Sequence, residues 1–257
     1  MIDIDSYAYT SKLVNINPME KFLFAILTMF SCLYCNSLYI SIFLVILMGF
    51  LTVLKGGIPF SFYMKIMILP FSFLILAVIT IAINVVDGST GILFSFRLFG
   101  TNIGATKSSA LFALGLIFKS LAAVSCLYFL SLSTPMTDIL YVLKRLRVPK
   151  LIIELMQLIY RFIFIMLNSM QMIVTSQTSR LGYSHSKIAF RSVAQLISSV
   201  FIKSYTRSQD IYSALESRGY EGELNVLEEE YEYKIGNFVL IIIFQVVLIF
   251  VVNFIKN

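Results

Sequence analysis

The chain has 257 residues, 58% hydrophobic and 13% charged, with a net charge of +6 and a mean hydropathy of +0.87. Soluble domains carry about 25% charged residues, so the composition excludes an ordinary water-solvated domain and points to a chain solvated by lipid. Residues 131–234 hold 12 of the 20 Lys/Arg and 10 of the 14 Asp/Glu, so the basic balance reads as membrane topology and excludes nucleic acid as a partner.

The start, Met1-Ile-Asp-Ile-Asp-Ser-Tyr, lacks the basic segment of a cleavable signal peptide. Residues 1–20 read as a polar leader containing Lys12, with Pro18 opening the first long helix and Lys21 anchoring it at the interface. The apolar run Phe22–Leu54 is about 50 Å long as one helix, against about 30 Å of hydrocarbon. It is expected to fold as a helical hairpin turning at Asn36-Ser37. Cys32-Leu-Tyr-Cys35 has redox-motif spacing, but it lies in an apolar helix. With one histidine and three cysteines in the chain, two packed membrane cysteines are the better reading, and no metal or cofactor site is expected.

Lys55-Gly-Gly-Ile-Pro59 reads as a loop, Ile66–Val86 as a span, Asp87–Thr106 as a loop with an apolar patch at Ile92–Phe99, and Lys107–Ser131 as the next span. Lys119, deep in that span, is expected to face protein.

Thr134-Pro135 opens a short helix, Met136–Leu146, that ends in the basic cluster Lys144, Arg145, Arg147 and Lys150. The helix from Pro149 to about Arg180 is greasy enough to score as a span. However, Glu154, Gln157, Arg161, Asn168 and Gln171 share one face, and both its flanks are basic. If it crossed, one basic cluster would lie outside; it is therefore expected at the cytoplasmic interface. Ile188–Tyr205 reads as an amphipathic helix with Ile188, Val193, Leu196, Ile197, Val200 and Phe201 as its apolar set, followed by Thr206–Arg218 ending at Gly219. Glu221–Glu232 is an acidic loop, and Ile235–Ile255 is the last span. The expected fold is thus an all-α integral membrane protein. It has about five spans, a spanning part at 1–133, a large cytoplasmic helical coupling region at 134–234 between the fourth and fifth spans, and a last span at 235–257.

Two segments of the insertion share a design: Ser179-Arg180-Leu181-Gly182 and Ser217-Arg218-Gly219. Arginine in a last turn favours the helix dipole, and glycine stops a helix; that accounts for one such triplet but not for its repetition. Each arginine is a planar donor fork presented at a helix end, suited to a carboxylate or a cluster of carbonyls on a partner.

The series Thr134-Pro135, Leu146-Arg147-Val148-Pro149, Tyr160-Arg161-Phe162, Arg180, Arg207-Ser208 and Ala214-Leu-Glu-Ser-Arg218-Gly-Tyr220 resembles the transmembrane T component (EcfT) of energy-coupling factor (ECF) transporters. It is most like the CbiQ type of cobalt uptake systems. The resemblance runs from about Pro18 to the end and is most specific over 134–220. It implies that two Ala-Arg-Gly-like triplets end two coupling helices and dock into grooves on a pair of ABC-type ATPases. Ser179-Arg180-Leu181 and Ser217-Arg218-Gly219 stand in those places; the first departs from the pattern, with Leu after Arg and Gly one place later. It also implies a separate substrate-binding membrane subunit, CbiM-like or vitamin-binding, and cobalt as cargo, with nickel or a vitamin as the alternative.

No G-x-x-x-x-G-K-[ST] segment occurs in the chain, so ATP hydrolysis is assigned to partners and the chain is not expected to be an enzyme. A membrane enzyme would need converging polar residues, and the spans offer Asn84 and Lys119. A stand-alone secondary transporter would be expected to divide into inverted repeats, which five spans and one insertion do not. The proline breaks at Thr134-Pro135 and Val148-Pro149, with Gly182 and Gly219 freeing the backbone beyond the arginines, predict hinges that let the two tips change separation.

Overall fold

The computed structural model describes residues 4–34, 37–82, 84–85, 92–98, 101–220, 231 and 235–256. The acidic stretch Glu221–Glu232 lies outside them apart from Tyr231, as do Cys35 and Asn36. The fold is that of an all-α multi-pass membrane protein. Its helices are α1 (Ile4–Thr10), α2 (Pro18–Tyr34), α3 (Leu38–Phe50), α4 (Phe60–Ala82), α5 (Lys107–Ser133), α6 (Met136–Arg145), α7 (Lys150–Ser179), α8 (Ser186–Ser217) and α9 (Ile235–Lys256). Among the described residues, four segments are long and apolar enough to cross a membrane: Leu38–Lys55, Phe60–Val78, Leu111–Ser133 and Lys150–Ser179; Gly236–Val252 is apolar but shorter. The chain divides into two compact units, residues 1–139 with 230–257, and residues 140–229.

The apolar run after Pro18 breaks into α2 and α3 where the hairpin was expected. Two other expectations are corrected. The leader is not merely polar: α1 is a helix whose Ala8 is fully buried, and the Tyr7 ring lies 4.2 Å from that of Phe62. Part of 84–106 is an antiparallel sheet rather than a loop, built from β1 (Asn84–Val85), β2 (Ile92–Leu98) and β3 (Thr101–Thr106) in the order β1-β3-β2. The signal lay in Phe94-Ser-Phe96-Arg-Leu98, which alternates with the period of a strand. Its residues pair in register as Phe96↔Ile103 and Leu98↔Thr101, with an irregularity between Ile92 and Phe94.

Helix α5 is central to the spanning unit. Ala122 packs with Cys32, Leu44 and Leu248; Cys126 and Phe129 pack with Ala25 and Met48; Leu132 packs with Ile58 and Tyr63. Small residues at these crossings let helix backbones approach, which is how helices associate where lipid offers no hydrophobic drive. Cys32 and Cys126 are both fully buried, and the Cys32 thiol donates to the Lys119 carbonyl at 3.7 Å, so Cys32 is a packing residue as expected. Pro70 cannot donate to the carbonyl of Ile66 one turn earlier, and the hydroxyl of Tyr128 on α5 donates to that carbonyl instead, at 3.4 Å. The outer surface is apolar: Phe30, Ile46, Leu69, Phe73 and Phe250 are all at least 60% exposed. So much exposed hydrocarbon is a lipid-facing surface.

Polar contacts fix the relative direction of the helices. Asn237 donates to Glu20 at 2.8 Å, and Gln245 donates to Thr28 at 2.8 Å and accepts from Ser31 at 2.9 Å. Each pair advances eight residues along both helices, so α2 and α9 run parallel. Lys21 donates to the carbonyls of Leu13 at 3.1 Å and Ser133 at 3.0 Å. Ser11 and the Lys12 amide both donate to the carbonyl of Gly56. The starts of α2, α4 and α9 and the end of α5 therefore share one end of the unit.

Candidate functional site

In the second unit α7 and α8 form an antiparallel pair. The Gln177 side chain donates to the Ser192 carbonyl at 3.0 Å, Ser204 approaches Met166 at 3.1 Å, and Tyr220 donates to Glu154 at 3.3 Å. On α7, Arg161, Asn168 and Gln171 are exposed, whereas Glu154 is buried. The expected break at Tyr205-Thr206 is absent: α8 is one helix of 32 residues. Tyr205-Thr-Arg-Ser208 contains neither glycine nor proline, so nothing there opposes continuation. Only part of the expected apolar set of α8 is covered, since Ile197 is 64% and Phe201 71% exposed.

Both sequence-predicted triplets lie at helix ends, and their geometry is the same. Arg180 closes α7 with φ −99° and ψ 18°; Arg218 closes α8 with φ −96° and ψ 9°. The preceding serine hydroxyls donate back one turn, Ser179 to the Thr175 carbonyl at 3.0 Å and Ser217 to that of Ser213 at 2.8 Å. The following residue is left-handed in each case, Leu181 at φ 58° and Gly219 at φ 74°. Beyond it, the Gly182 amide donates to the Gln177 carbonyl at 2.8 Å and the Tyr220 amide to that of Leu215 at 3.0 Å. The second bond of each pair runs from Leu181 to Thr178 and from Gly219 to Glu216, both at 3.0 Å. This is the Schellman arrangement, and it places both arginines at the same structural position. Leu181 is thus the counterpart of Gly219, and the offset glycine does not shift the register.

Gly182 was expected to free the backbone; it serves a different purpose. A Cβ there would sit 2.8 Å from the Gln177 carbonyl oxygen and 2.9 Å from the Ser192 hydroxyl. The glycine admits α8 against the end of α7, where Ser192 donates to the Gly182 carbonyl at 2.7 Å and Tyr183 donates to the Gln177 side chain at 2.7 Å. Leu181 consequently carries the left-handed conformation, at a cost of roughly 1–2 kcal/mol for an L-residue, with its side chain 72% exposed. At the other tip, the Tyr220 hydroxyl is pushed above its ordinary range, by desolvation first and then by the Glu154 carboxylate it donates to.

Arg180 and Arg218 are both exposed. A groove of about 550 Å³ between α7 and α8, lined by Ser176, Gln177, Gln195 and Lys203 among others, opens beside Arg180. The third helix end, that of α6, has the same closure, with Arg147 at φ 61° and the Val148 amide donating to the Leu143 carbonyl at 3.2 Å. Pro149 then starts the turn into α7. Sequence reading located the arginine tips but not the corner residues Gln177 and Ser192. Serine and glutamine in a helix carry no periodic or spacing signal.

The family model for cobalt transport protein CbiQ matches residues 10–229. The chain belongs to the CbiQ cobalt transport protein family. The matched span includes both arginine tips. Among similar proteins, an uncharacterized protein of Methanocaldococcus jannaschii is 27% identical over 254 residues, covering 99% of this chain and 94% of the relative. The cobalt transport protein CbiQ of Salmonella typhimurium is 28% identical over 226 residues, covering 88% of this chain and 100% of the relative. A Methanocorpusculum labreanum protein, assigned by name as a fused cobalt transport protein CbiMQ, is 29% identical over 227 residues, 88% of this chain and 38% of the relative.

Proposed function

We propose that this chain is the T component of an ECF-type ABC importer. In this reading it couples ATP binding and hydrolysis on two partner ATPases to cobalt uptake through a separate, CbiM-like membrane subunit. The observation that carries the reading is the repeated tip. Two helix ends of unrelated surrounding sequence present an exposed arginine at the same cap position, with the same serine before it and the same closure after it. A helix stop does not require that sequence, whereas two equivalent sockets on a pair of ATPases would. The names of the CbiQ relatives support cobalt, and fusion to a CbiM-named part in the Methanocorpusculum protein supports the membrane partner.

A parity argument supports a cytoplasmic side for the tips. The end of α5 and the start of α9 are both held at the first turn of α2, by the contacts of Lys21 and Glu20. The intervening chain must therefore cross the membrane an even number of times. If α7 crossed, α8 would have to cross back, carrying Lys187, Arg191, Lys203, Arg207, Asp210 and Glu216. A charge at the centre of a span costs about 2.5–3.5 kcal/mol, which opposes a crossing by α8 and with it one by α7. The shared end also carries Lys12, Lys21 and Lys55, which supports a cytoplasmic position for it under the positive-inside rule.

Charge reversal tests the reading. Arg180→Glu and Arg218→Glu each remove a charge-assisted contact worth roughly 2–5 kcal/mol, at least about thirty-fold in ATPase affinity. The double variant should insert normally and capture no ATPase. Wild-type capture and uptake in the double variant would overturn the coupling role.

A further inference from the structure

The first turn of α2 holds two adjacent ionisable residues that the tips do not use, Glu20 and Lys21, each only 4% exposed. Lys21 donates to the carbonyl of Leu13 and to that of Ser133, the last residue of α5. Five residues past Ser133, Asp138 lies in the first turn of α6 and accepts from the Tyr231 hydroxyl at 2.8 Å. Glu20 accepts from Asn237, in the first turn of α9, through one oxygen; the other is buried and has no hydrogen-bond partner among the described residues. These contacts sit where the chain leaves the spanning unit, at 139, and where it re-enters, at 230. The outgoing chain is held through Ser133 and Asp138, and the returning chain through Tyr231 and Asn237. Ser133 and Asn237 meet one turn of α2, and Asp138 ties the start of α6 to Tyr231.

Stability alone is a weak reason for such a cluster. Buried charges cost more to desolvate than their attraction returns unless every partner is satisfied, and Glu20 retains an unsatisfied oxygen. A packed apolar joint would hold the helices as firmly. A charged joint adds direction: each hydrogen bond fixes an angle as well as a distance, so the end of α5, from which the chain runs into α6, and the root of α9 cannot turn independently of α2.

We infer that Glu20, Lys21, Asp138 and Tyr231 form a root clamp that makes movement of the coupling helices drive the spanning helices, with Lys21 and Asp138 as its positioning residues. The inference rests on the T-component reading. The clamp is where the work done at the tips is delivered; without it the tips would still dock and the ATPases still turn over.

The test uses the full complex reconstituted in vesicles, with capture of the ATPases, ATP hydrolysis and uptake measured on the same preparation. Asp138→Asn and Lys21→Met should retain the ATPases and hydrolyse ATP within about twofold of wild type, while uptake per ATP falls tenfold or more. Lys21→Arg, which keeps the charge and donors, should recover most of it. Tyr231→Phe removes one hydroxyl with little risk to folding, and should lower uptake per ATP severalfold. Uptake per ATP at the wild-type level in Asp138→Asn and Tyr231→Phe would overturn the clamp. So would assembly, hydrolysis and uptake falling in proportion, because the residues would then serve folding alone. Failure of the underlying reading looks different: the Arg180→Glu/Arg218→Glu double variant would then capture ATPase as well as wild type does.

Discussion

Leu181→Gly separates the strain at the first tip from its use. Leu181 is left-handed at φ 58°, so glycine should relieve roughly 1 kcal/mol at the corner, less what its freedom costs in the unfolded chain. The substitution also deletes a side chain that is 72% exposed. Burying a whole leucine contributes about 1.5–3 kcal/mol, so the exposed part could yield about 1–2 kcal/mol on docking. The variant should be slightly more heat-stable and bind the ATPase pair about 5- to 30-fold more weakly. Full-length protein in nanodiscs, titrated with ATPase and melted in parallel, gives both numbers. Leu181→Ala is the control: it keeps the strained backbone, loses most of the side chain, and should weaken binding without raising Tm. Affinity within twofold of wild type for both variants would refute the docking role, and a lower Tm for Leu181→Gly would refute the strain argument.

Gly182→Ala should lower the stability of the α7–α8 corner by about 1–3 kcal/mol, read as a lower Tm of the full chain, because its Cβ meets backbone at 2.8 Å. Tyr128→Phe should cost about 1 kcal/mol, since the Ile66 carbonyl beneath Pro70 loses the donor it now has at 3.4 Å. A cysteine at His185 should react with an impermeant reagent from the cytoplasmic side only; labelling from outside would mean that α7 crosses. Spin labels at Ser179 and Ser217 should report one separation, unchanged within a few ångströms through the ATP cycle, because the hydrogen-bonded corner after α7 and the unbroken α8 join the two positions, in place of the hinges expected at the glycines; a shift of about 10 Å or more would mean that α8 breaks or the corner opens.

The helical framework was legible because hydrocarbon thickness and Pro18, Pro135 and Pro149 constrain it strongly. The tips were legible because the arginine-glycine pattern occurs twice. What escaped had no local signature or was outweighed by one that misled. Gly182 was read as freeing the backbone beyond Arg180, whereas contact with Ser192 claimed the glycine and left Leu181 to turn the chain. The strand alternation of Phe94, Phe96 and Leu98 was hidden among turn residues. The partners of Glu20 and Lys21 lie 217 and 112 residues away in sequence, beyond any periodic argument. The continuity of α8 was missed because its apolar face weakens after Tyr205, although nothing in the backbone breaks there.

That continuity makes α8 a gauge. Its 32 residues at 1.5 Å per residue span about 48 Å, with one arginine tip just before its first turn and the other just after its last. In the T-component reading proposed above, the distance between the two ATPase sockets is set by this chain and not negotiated on binding. A partner pair that closes cannot shorten the rod; it can only swing it. A tilt of 10° about one end carries the other through about 8 Å by the same rise per residue. The stroke available to the membrane is thus a matter of leverage, and lengthening α8 by one turn would mismatch the sockets before it changed any contact at either tip.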